Sequence, residues 1–311
     1  MRASPATLFL GRAFILSELN LVSKLLNYRY INTEKMSAMS ALPPTLTRLI
    51  AKVTCLLLAA ASLPTQAQET KLLPALGEQT ELTVGLGMTY APRHLGAKEM
   101  RWIPFPTLSL YRGVFFLDTV RGVGAEYLTS NGLYASLAIA YDFGRSEKNS
   151  HWRPGSRKLR GMGEVKGATT ANLLVAQELT SWLSINGEAE FRLAGHHRGN
   201  RYRLGLEATL LEKNNDAITL GVHIHAGDAQ YNRTYFGVSD DQSQTSRFPR
   251  FAIQSGIYAY SVSADWHHDF DPHWTLSMGV NAMQFSNKAR QSPIVERNTN
   301  VIGFATLHYA F

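Results

Sequence analysis

Apolar and polar residues alternate with a period of two along most of the chain beyond residue 80. Between residues 81 and 90, every second position is apolar, namely Leu82, Val84, Leu86, Met88 and Tyr90. Similar runs begin at residues 183, 202, 218, 258 and 274. A β-strand with one apolar face has this period, whereas an amphipathic helix repeats its apolar positions at intervals of three and four. The pattern therefore predicts an all-β domain over residues 80–311.

The opposite face of each run is polar, and it holds the residues that could carry chemistry. These are Glu188, Glu190, Arg192, Arg201, Arg203, His223, His225, Ser261, Ser263, Asp265 and His267. In the run that begins at residue 258, the apolar face consists of Tyr258, Tyr260, Val262, Ala264 and Trp266. Since alternate residues of a strand point to opposite sides of a sheet, the two faces should lie in two different environments.

The apolar face could contact lipid around a transmembrane barrel, or a packed core inside a soluble β-sandwich or lipocalin-like barrel. The runs approach the ~10 residues that a tilted strand needs to cross a bilayer. Aromatic residues lie at the ends of runs, as in the girdles at membrane interfaces, and Leu307, Tyr309 and Phe311 share one face of the last run. That ending resembles the C-terminal signal of bacterial outer-membrane barrels. We therefore expect a transmembrane antiparallel up-and-down β-barrel in the outer membrane of a Gram-negative bacterium.

Turn signals predict the number of strands. Short connections occur at residues 111–113, 130–132, 180–181, 213–215 and 271–273, and long ones at 91–102, 145–166, 230–252 and 288–298. Bacterial barrels have short periplasmic turns, longer outer loops and an even number of strands. If both termini are periplasmic, residues 114–128 must form two short strands that reverse near residues 119–121. The prediction is twelve strands, with ten as the alternative if one short piece is not a strand.

The N-terminal region has the features of an export signal. Arg48 and Lys52 precede an apolar stretch at residues 53–63, and small residues at Thr65 and Ala67 fit a cleavage site. The apolar stretch is too short to span a bilayer as a helix. We expect residues 1–35 to be an upstream extension from a mis-assigned start, 36–67 a signal peptide, 68–79 a short periplasmic segment and 80–311 the barrel.

Removing the signal region changes the charge and the cysteine content of the chain. The full sequence has 31 Lys and Arg against 24 Asp and Glu, but residues 68–311 have 24 against 22. The sole cysteine, Cys55, lies inside the signal region. A nearly neutral mature chain gives no reason to expect a nucleic-acid partner. A thiol-free chain suits an oxidising cell envelope.

A metal site could begin with His223 and His225, which lie two positions apart on the polar face of one strand. Asp265 or His267 could supply a third ligand, but zinc needs three or four ligands that converge. The alternative is a polar lumen filled by imidazoles and carboxylates, and the pattern favours it. We therefore predict no metal and no cofactor.

The same region could also be interpreted as the active site of a serine hydrolase, and this interpretation has a simpler alternative. Asp265, His267 and Asp269 share a face with Ser261 and Ser263, but no nucleophile-elbow motif accompanies them. Interior ion pairs between the carboxylates and three basic residues, Arg192, Arg201 and Arg203, explain the carboxylates more simply. We predict no catalytic residue, and we do not expect an enzyme.

The long connection at residues 145–166 is basic. It contains Arg145, Lys148, Arg153, Arg157, Lys158 and Arg160, against only Glu147 and Glu164. If the loop is outside the cell, its charge would favour the phosphate-rich head groups of outer-membrane lipids and lipopolysaccharide. An ordinary solvated loop is the alternative. Its glycines at 161, 163 and 167 lack the strand–loop–helix context of a nucleotide-binding loop.

Several short blocks give the chain a resemblance to the MipA/OmpV family of outer-membrane proteins. The resemblance extends over about residues 80–311 and rests on these blocks: Tyr90–Pro92, Leu95–Ala97, Pro104–Pro106, Tyr111, Phe115–Phe116, Leu159–Gly163, Tyr235–Ser239 with Gln242–Ser243, Ser292–Ile294, and Leu307–Phe311. Ala97 and Lys98 depart from the family pattern, which has a Ser and an acidic residue there. Glu164–Val165 is a milder departure.

The resemblance implies a structural role in the outer membrane. The family takes its name from a protein that interacts with a membrane-bound lytic transglycosylase, so it implies a scaffold that links a murein hydrolase with a penicillin-binding protein. The alternative is a narrow, porin-like channel that affects envelope permeability. Twelve strands lie between the side-chain-filled interior of an eight-stranded barrel and the aqueous pore of one with sixteen or more strands.

Overall fold

The computed structural model describes residues 80–311, which form a closed antiparallel barrel of twelve strands. The expected extension, signal peptide and periplasmic segment, at residues 1–35, 36–67 and 68–79, lie outside the described residues and stay predictions. The strands follow one another around the barrel in chain order, and the first strand pairs with the last. The predicted up-and-down topology is confirmed.

The strands are β1 (Thr80–Pro92), β2 (Met100–Arg112), β3 (Phe115–Asp118), β4 (Gly122–Leu128), β5 (Leu133–Asp142), β6 (Ala168–Thr180), β7 (Leu183–Gly195), β8 (Arg201–Lys213), β9 (Asp216–Gly227), β10 (Gly256–Asp269), β11 (Trp274–Phe285) and β12 (Thr299–Ala310). The helices are α1 (Ala229–Phe236), α2 (Asp240–Thr245) and α3 (Asn287–Arg290), with one 3₁₀ turn at Arg157–Leu159. Within residues 80–311, no helix has the length and apolar character needed to cross a membrane.

Short and long connections alternate, so the barrel has two different ends. The turn end has connections at residues 113–114, 129–132, 181–182, 214–215 and 270–273, and it also holds the start of β1 and the C-terminus. The loop end has connections at 93–99, 119–121, 143–167, 196–200, 228–255 and 286–298. The two short strands β3 and β4 confirm the count of twelve and exclude ten.

The first long connection is shorter than the sequence suggested. Its predicted range was 91–102, but β1 and β2 remain paired up to Pro92 and Met100. Proline at position 92 is tolerated because a strand end needs no further donor.

Apolar side chains point away from the barrel axis, and polar ones point into the lumen. Leu86 is 69% exposed and Val262 56% exposed on the outer wall, whereas Thr89 and Glu207 face inward and are almost fully buried. A soluble barrel or sandwich would bury the apolar set instead. The outward apolar face is therefore consistent with lipid contact and contradicts the soluble alternative.

Aromatic side chains form pairs on the outer wall near both ends, as expected of interfacial girdles. At the loop end, Tyr90 packs against Trp102, with ring centroids 4.7 Å apart. At the turn end, Trp274 packs against Tyr309 at 4.9 Å. These two pairs lie at the heights where the hydrocarbon region of a bilayer would end.

The predicted outward orientation of Tyr258 is wrong. The register between β9 and β10 shifts between Ile257 and Ala259, so β10 has a bulge at its loop end. One extra residue reverses the side to which the preceding side chain points. Tyr258 therefore points inward and is 1% exposed.

Candidate functional site

Ion pairs between neighbouring strands line the lumen, and the strand register creates them. On β7 and β8, Glu190 lies directly opposite Arg201, and Glu188 lies opposite Arg203. Arg201 Nη2 is 3.0 Å from Glu190 Oε2, and Arg203 Nη2 is 2.7 Å from Glu188 Oε2. Ion pairs therefore lie inside the barrel, but the carboxylates that bind Arg201 and Arg203 belong to β7, whereas the sequence analysis had assigned these arginines to the carboxylates of β10. The third predicted arginine, Arg192, donates to the backbone oxygen of Gly195.

The most buried charge of the site is Arg198, in the connection between β7 and β8. Its side chain is 1% exposed. Arg198 Nε lies 2.6 Å from Asp142 Oδ2, and the guanidinium also binds Glu190. Tyr235 of α1 donates to Asp142 Oδ2 at 3.2 Å, so the cluster joins two connections to the barrel wall. Although burial opposes the charge, Glu190 and Asp142 raise the pKa of Arg198.

The two histidines of β9 both face the lumen, as predicted, but they bind different partners. His223 Nε2 lies 3.3 Å from Glu207 Oε1, and His225 Nε2 lies 2.9 Å from Ser261 Oγ. Their ring centroids are 6.3 Å apart. In residues 80–311, no group of three or more His, Cys, Asp or Glu side chains is arranged to hold a metal ion. The geometry matches a hydrogen-bonded polar lumen.

The residues of β10 that were considered for a hydrolase site contact the neighbouring strands β9 and β11. Asp265 and His267 are buried inside the barrel, whereas His268 points outward and binds Asp216 on β9. His267 Nδ1 lies 2.8 Å from Ser277 Oγ on β11. Ser261 Oγ contacts His225 of β9. These contacts tie neighbouring strands together across the inner wall.

Packed apolar side chains fill the barrel mouth at the loop end. One cluster joins Tyr231 and Phe236 of α1 to inward-facing Tyr258, Met283 and Phe285 of the wall. A second cluster lies above it and contains Leu159, Met162, Val238, Phe248 and Ile294. Phe251 packs against both clusters. We call this assembly of connections 93–99, 143–167, 228–255 and 286–298 the cap.

The basic loop at 145–166 is part of the cap and is neither uniformly exposed nor solvated. Arg145 is buried and donates to the backbone oxygen of Tyr235 at 3.3 Å, and burial lowers its pKa to about 10. Arg153 donates to the backbone oxygens of Phe143 and Val165, at 2.8 and 2.6 Å. Lys148, Arg157 and Arg160 remain exposed. Two of the six predicted surface cations therefore hold the loop in place.

His94 shows how strongly the cap excludes water. Burial is the largest cause that lowers its pKa to about 4, and the charge of Arg145 adds to this effect. His94 is 4% exposed, and its Nδ1 lies 2.9 Å from the backbone oxygen of Leu95. The side chain is therefore neutral at physiological pH and serves as a hydrogen-bonding part of the cap.

Comparison with known proteins places this barrel in a family. The family model described as "MltA-interacting protein MipA" matches residues 84–311, which is nearly the whole barrel. The chain belongs to the MipA family. The resemblance noted in the sequence is thereby confirmed. No curated protein matches the chain.

The solved structures that the chain resembles include two outer-membrane channels and a porin. An outer membrane channel from Pseudomonas putida F1 is 10% identical, with 80% of this chain and 100% of that chain covered and a TM-score of 0.44. The CymD monoaromatic hydrocarbon channel is 10% identical, with 81% and 94% covered and a TM-score of 0.38. The KdgM porin is 8% identical, with 74% and 99% covered and a TM-score of 0.36.

Four of the blocks that carry the MipA resemblance lie in loop-end connections and meet in the cap. Leu95, Leu159, Met162, Phe236 and Ile294 come from four connections and pack in its two clusters. Hydrogen bonds link the same blocks: Gln242 Nε2 donates to the backbone oxygen of Met162 at 2.6 Å, and Ser292 Oγ donates to that of Phe236. The cap is the structural counterpart of those sequence blocks.

Two glycines of these blocks allow connections to approach closely. Gly161 has φ +88°, and a Cβ there would lie 1.9 Å from the backbone oxygen of Thr245. Gly96 has φ +81°, and a Cβ there would clash with Val295. Both positions therefore favour glycine for conformation and for space. These two glycines are packing elements of the cap.

Sequence reasoning missed Arg198 and Asp142. Asp142 ends β5 and Arg198 lies in the connection between β7 and β8, where the period of two stops and no local pattern tells a buried charge from a solvated one. A weak signal existed, because Asp142 is a carboxylate at the end of a run whose outward neighbours are apolar.

Proposed function

We propose that this MipA-family barrel is a structural anchor in the outer membrane that brings a lytic transglycosylase and a penicillin-binding protein together. The family's description as an MltA-interacting protein supports a protein partner. The proposal assigns no catalytic role to the barrel itself. Its function would lie in holding enzymes near the murein layer.

The filled lumen is the observation that carries this proposal. The Arg198 cluster spans from β5 to β7, and the cap packs across the mouth above it. A solute would have to displace buried ion pairs and a dry apolar cluster to pass. Breaking a buried ion pair leaves an uncompensated charge and is strongly unfavourable. A closed barrel of this kind suits an anchor better than a pore.

A narrow channel is the alternative, and one observation favours it. Within the described barrel, the side-chain polar atoms of Ser184 and Asn186 face the lumen without a hydrogen-bond partner. Buried polar atoms of this kind are usually satisfied by ordered water. A thread of water beside the ion pairs would give a small conductance, and electrical recording separates the two functions.

The docking surface of an anchor would be the turn end. Its connections are only two to four residues long, so the flat face they offer is small. A stable protein interface generally buries at least about 1,000 Å² in total. The turns at 129–132 and 181–182 lie side by side, because Gln177 Nε2 donates to the backbone oxygen of Asn131. We expect a weak contact centred on such neighbouring turns.

The double substitution Ser130→Arg/Ser181→Arg should weaken capture of the lytic transglycosylase. Both serines are exposed in adjacent turns, so two long charged side chains would cover the proposed contact without disturbing the barrel. Purified tagged barrel in detergent, treated with a short cross-linker, would be used to capture the purified enzyme. We expect the captured amount to fall about tenfold, as a loss of ~1.4 kcal/mol implies.

A matched control adds the same charge at the other end. Gln244→Arg/Asn298→Arg places two arginines on exposed positions of the loop end and should leave capture unchanged. Equal capture by wild type, by both variants and by an unrelated outer-membrane barrel would reject the proposed contact.

A further inference from the structure

The two ends of the barrel differ sharply in charge. The six connections of the loop end contain 17 Lys and Arg against 7 Asp and Glu, whereas the five connections of the turn end contain no Lys or Arg and one acidic residue, Asp271. Charge of one sign concentrated at one end creates a local field that attracts anions. Only the cations that remain exposed are available to a ligand.

Five arginines of the loop end are held by internal partners. Arg93 binds Glu99, Arg121 binds Glu126, and Arg145, Arg153 and Arg198 hold the cap and the lumen together. These side chains are structural, and a ligand would have to break existing bonds to use them. The exposed cations that remain are not scattered evenly.

Four basic residues from four connections lie around one carboxylate, Glu296, and two of them bind it through their charged groups. Lys158 Nζ lies 2.8 Å and Arg247 Nη2 3.7 Å from Glu296 Oε1, while the backbone N–H of Lys98 donates to Oε2 at 2.9 Å. The backbone N–H of Arg297 donates to the oxygen of Gly96 at 3.0 Å, which ties Arg297 to the connection that carries Lys98. We call Lys98, Lys158, Arg247 and Arg297, with Glu296, the basic centre.

Glu296 is ionised and positions the cations without neutralising them. Partial burial opposes its charge, but hydrogen bonds from Lys158 and Lys98 lower its pKa. One negative charge among four positive ones leaves a net excess of positive charge at the surface. The side chains of Lys158 and Arg247 are 40% and 57% exposed, so a ligand can reach them.

The basic centre rests on a rigid support. The apolar cluster beneath it includes Leu159 and Phe248, the immediate neighbours of Lys158 and Arg247. Thr245 Oγ1 donates to the backbone oxygen of Gly161 at 2.7 Å and ties the two connections together. Ordered backbone lowers the entropy cost of bringing the cations onto one ligand.

The position of the centre relative to the membrane indicates the source of the anion. Lys98 lies two residues before β2 begins, and Arg297 lies two residues before β12 begins. On the outer wall directly below, Tyr90 and the 60%-exposed Trp102 form the loop-end aromatic pair that marks the interface. Cations just beyond an aromatic belt are at the height of lipid head groups.

We propose that the basic centre binds the phosphate groups of a phosphorylated lipid in the adjacent leaflet. Arginine and lysine form charge-assisted hydrogen bonds with phosphate oxygens, so the basic centre offers the donors that a phosphate group needs. Binding would fix the β12–β1–β2 wall of the barrel against the leaflet. This site is independent of the anchor function at the turn end.

The test uses Lys98→Gln/Arg247→Gln/Arg297→Gln, which retains Lys158 and its bond to Glu296. Full-length barrel refolded in detergent would be titrated with purified lipopolysaccharide, with the same lipid after phosphatase treatment, and with inorganic pyrophosphate as competitor. Wild type should bind the phosphorylated lipid at least about tenfold more tightly than the dephosphorylated lipid. The triple variant should lose about tenfold in affinity for the phosphorylated lipid.

The control Lys148→Gln/Lys166→Gln/Arg233→Gln removes the same charge from exposed positions elsewhere on the loop end and should bind like wild type. A loss equal to that of the triple variant would show that overall charge alone acts, and would overturn the site. Equal binding of phosphorylated and dephosphorylated lipid would overturn it as well. If pyrophosphate binds wild type as tightly as the phosphorylated lipid does, the ligand of the basic centre is a soluble phosphate, and the lipid proposal is overturned. Competition on wild type tests the proposal even if the variant does not fold.

Discussion

Replacing Arg198 by Ala will lower the free energy of unfolding by about 3–5 kcal/mol, because the change breaks a buried ion-pair cluster and leaves its partners charged. Asp142 and Glu190 are 3% and 5% exposed, and both bind the Arg198 guanidinium. Without it, Asp142 and Glu190 each lose a buried cation, although Glu190 retains its bond to Arg201. Denaturant unfolding of the refolded barrel, followed by tryptophan fluorescence, measures the effect.

Two further variants separate the buried cluster from a general loss of charge. Arg233→Ala removes an exposed arginine of α1 and should change stability by less than about 0.5 kcal/mol. Arg198→Met with Glu190→Gln removes one cation and one carboxylate together and should recover part of the loss. Equal stability of wild type and Arg198→Ala would show that Arg198 is solvated and that the lumen is open at this level.

Arginine introduced at the centre of the outer wall should cost about 2–4 kcal/mol in a bilayer. Val262 suits this test because it lies in the middle of β10, is 56% exposed and is paired with Val222 and Ala282 on its two neighbouring strands. In Val262→Arg, the charge would enter hydrocarbon. Reversible unfolding of the variant in lipid vesicles would give the free energy.

The control is a second substitution to arginine on the outer wall, placed nearer to the membrane interface. Leu210→Arg lies near the turn end of β8, is equally outward and exposed, and should cost only about 0–1 kcal/mol because the charge reaches the interface. Equal and small costs at both positions would mean that the outer wall contacts water, and the membrane assignment would fail.

Strand orientation was predictable from sequence wherever the period of two was unbroken. The polar set His223, His225, Asp265 and His267 faces the lumen as expected, because each strand needs only its own residues to determine its faces. The short strands β3 and β4 were predictable from an even strand number and the positions of the termini. The inward orientation of Tyr258 was not predictable, because a bulge depends on pairing with another strand.

The cap and its ion cluster could not be predicted in the same way. Tyr235 contacts Asp142, which lies 93 positions away, and Gly96 N binds Asn300, 204 positions away. No local periodicity encodes contacts of that range. Arg145 appeared to be one cation of a basic loop, and only the packing around it shows that it is buried.

Recording single barrels in a planar lipid bilayer tests the central claim of a plugged, anchoring barrel most directly. Folded wild-type protein should insert and produce no stepwise conductance above the noise, while an open porin under the same conditions produces clear steps. Reproducible steps from the wild type, present whenever barrels insert, would show a continuous aqueous path through the lumen and would make the barrel a channel.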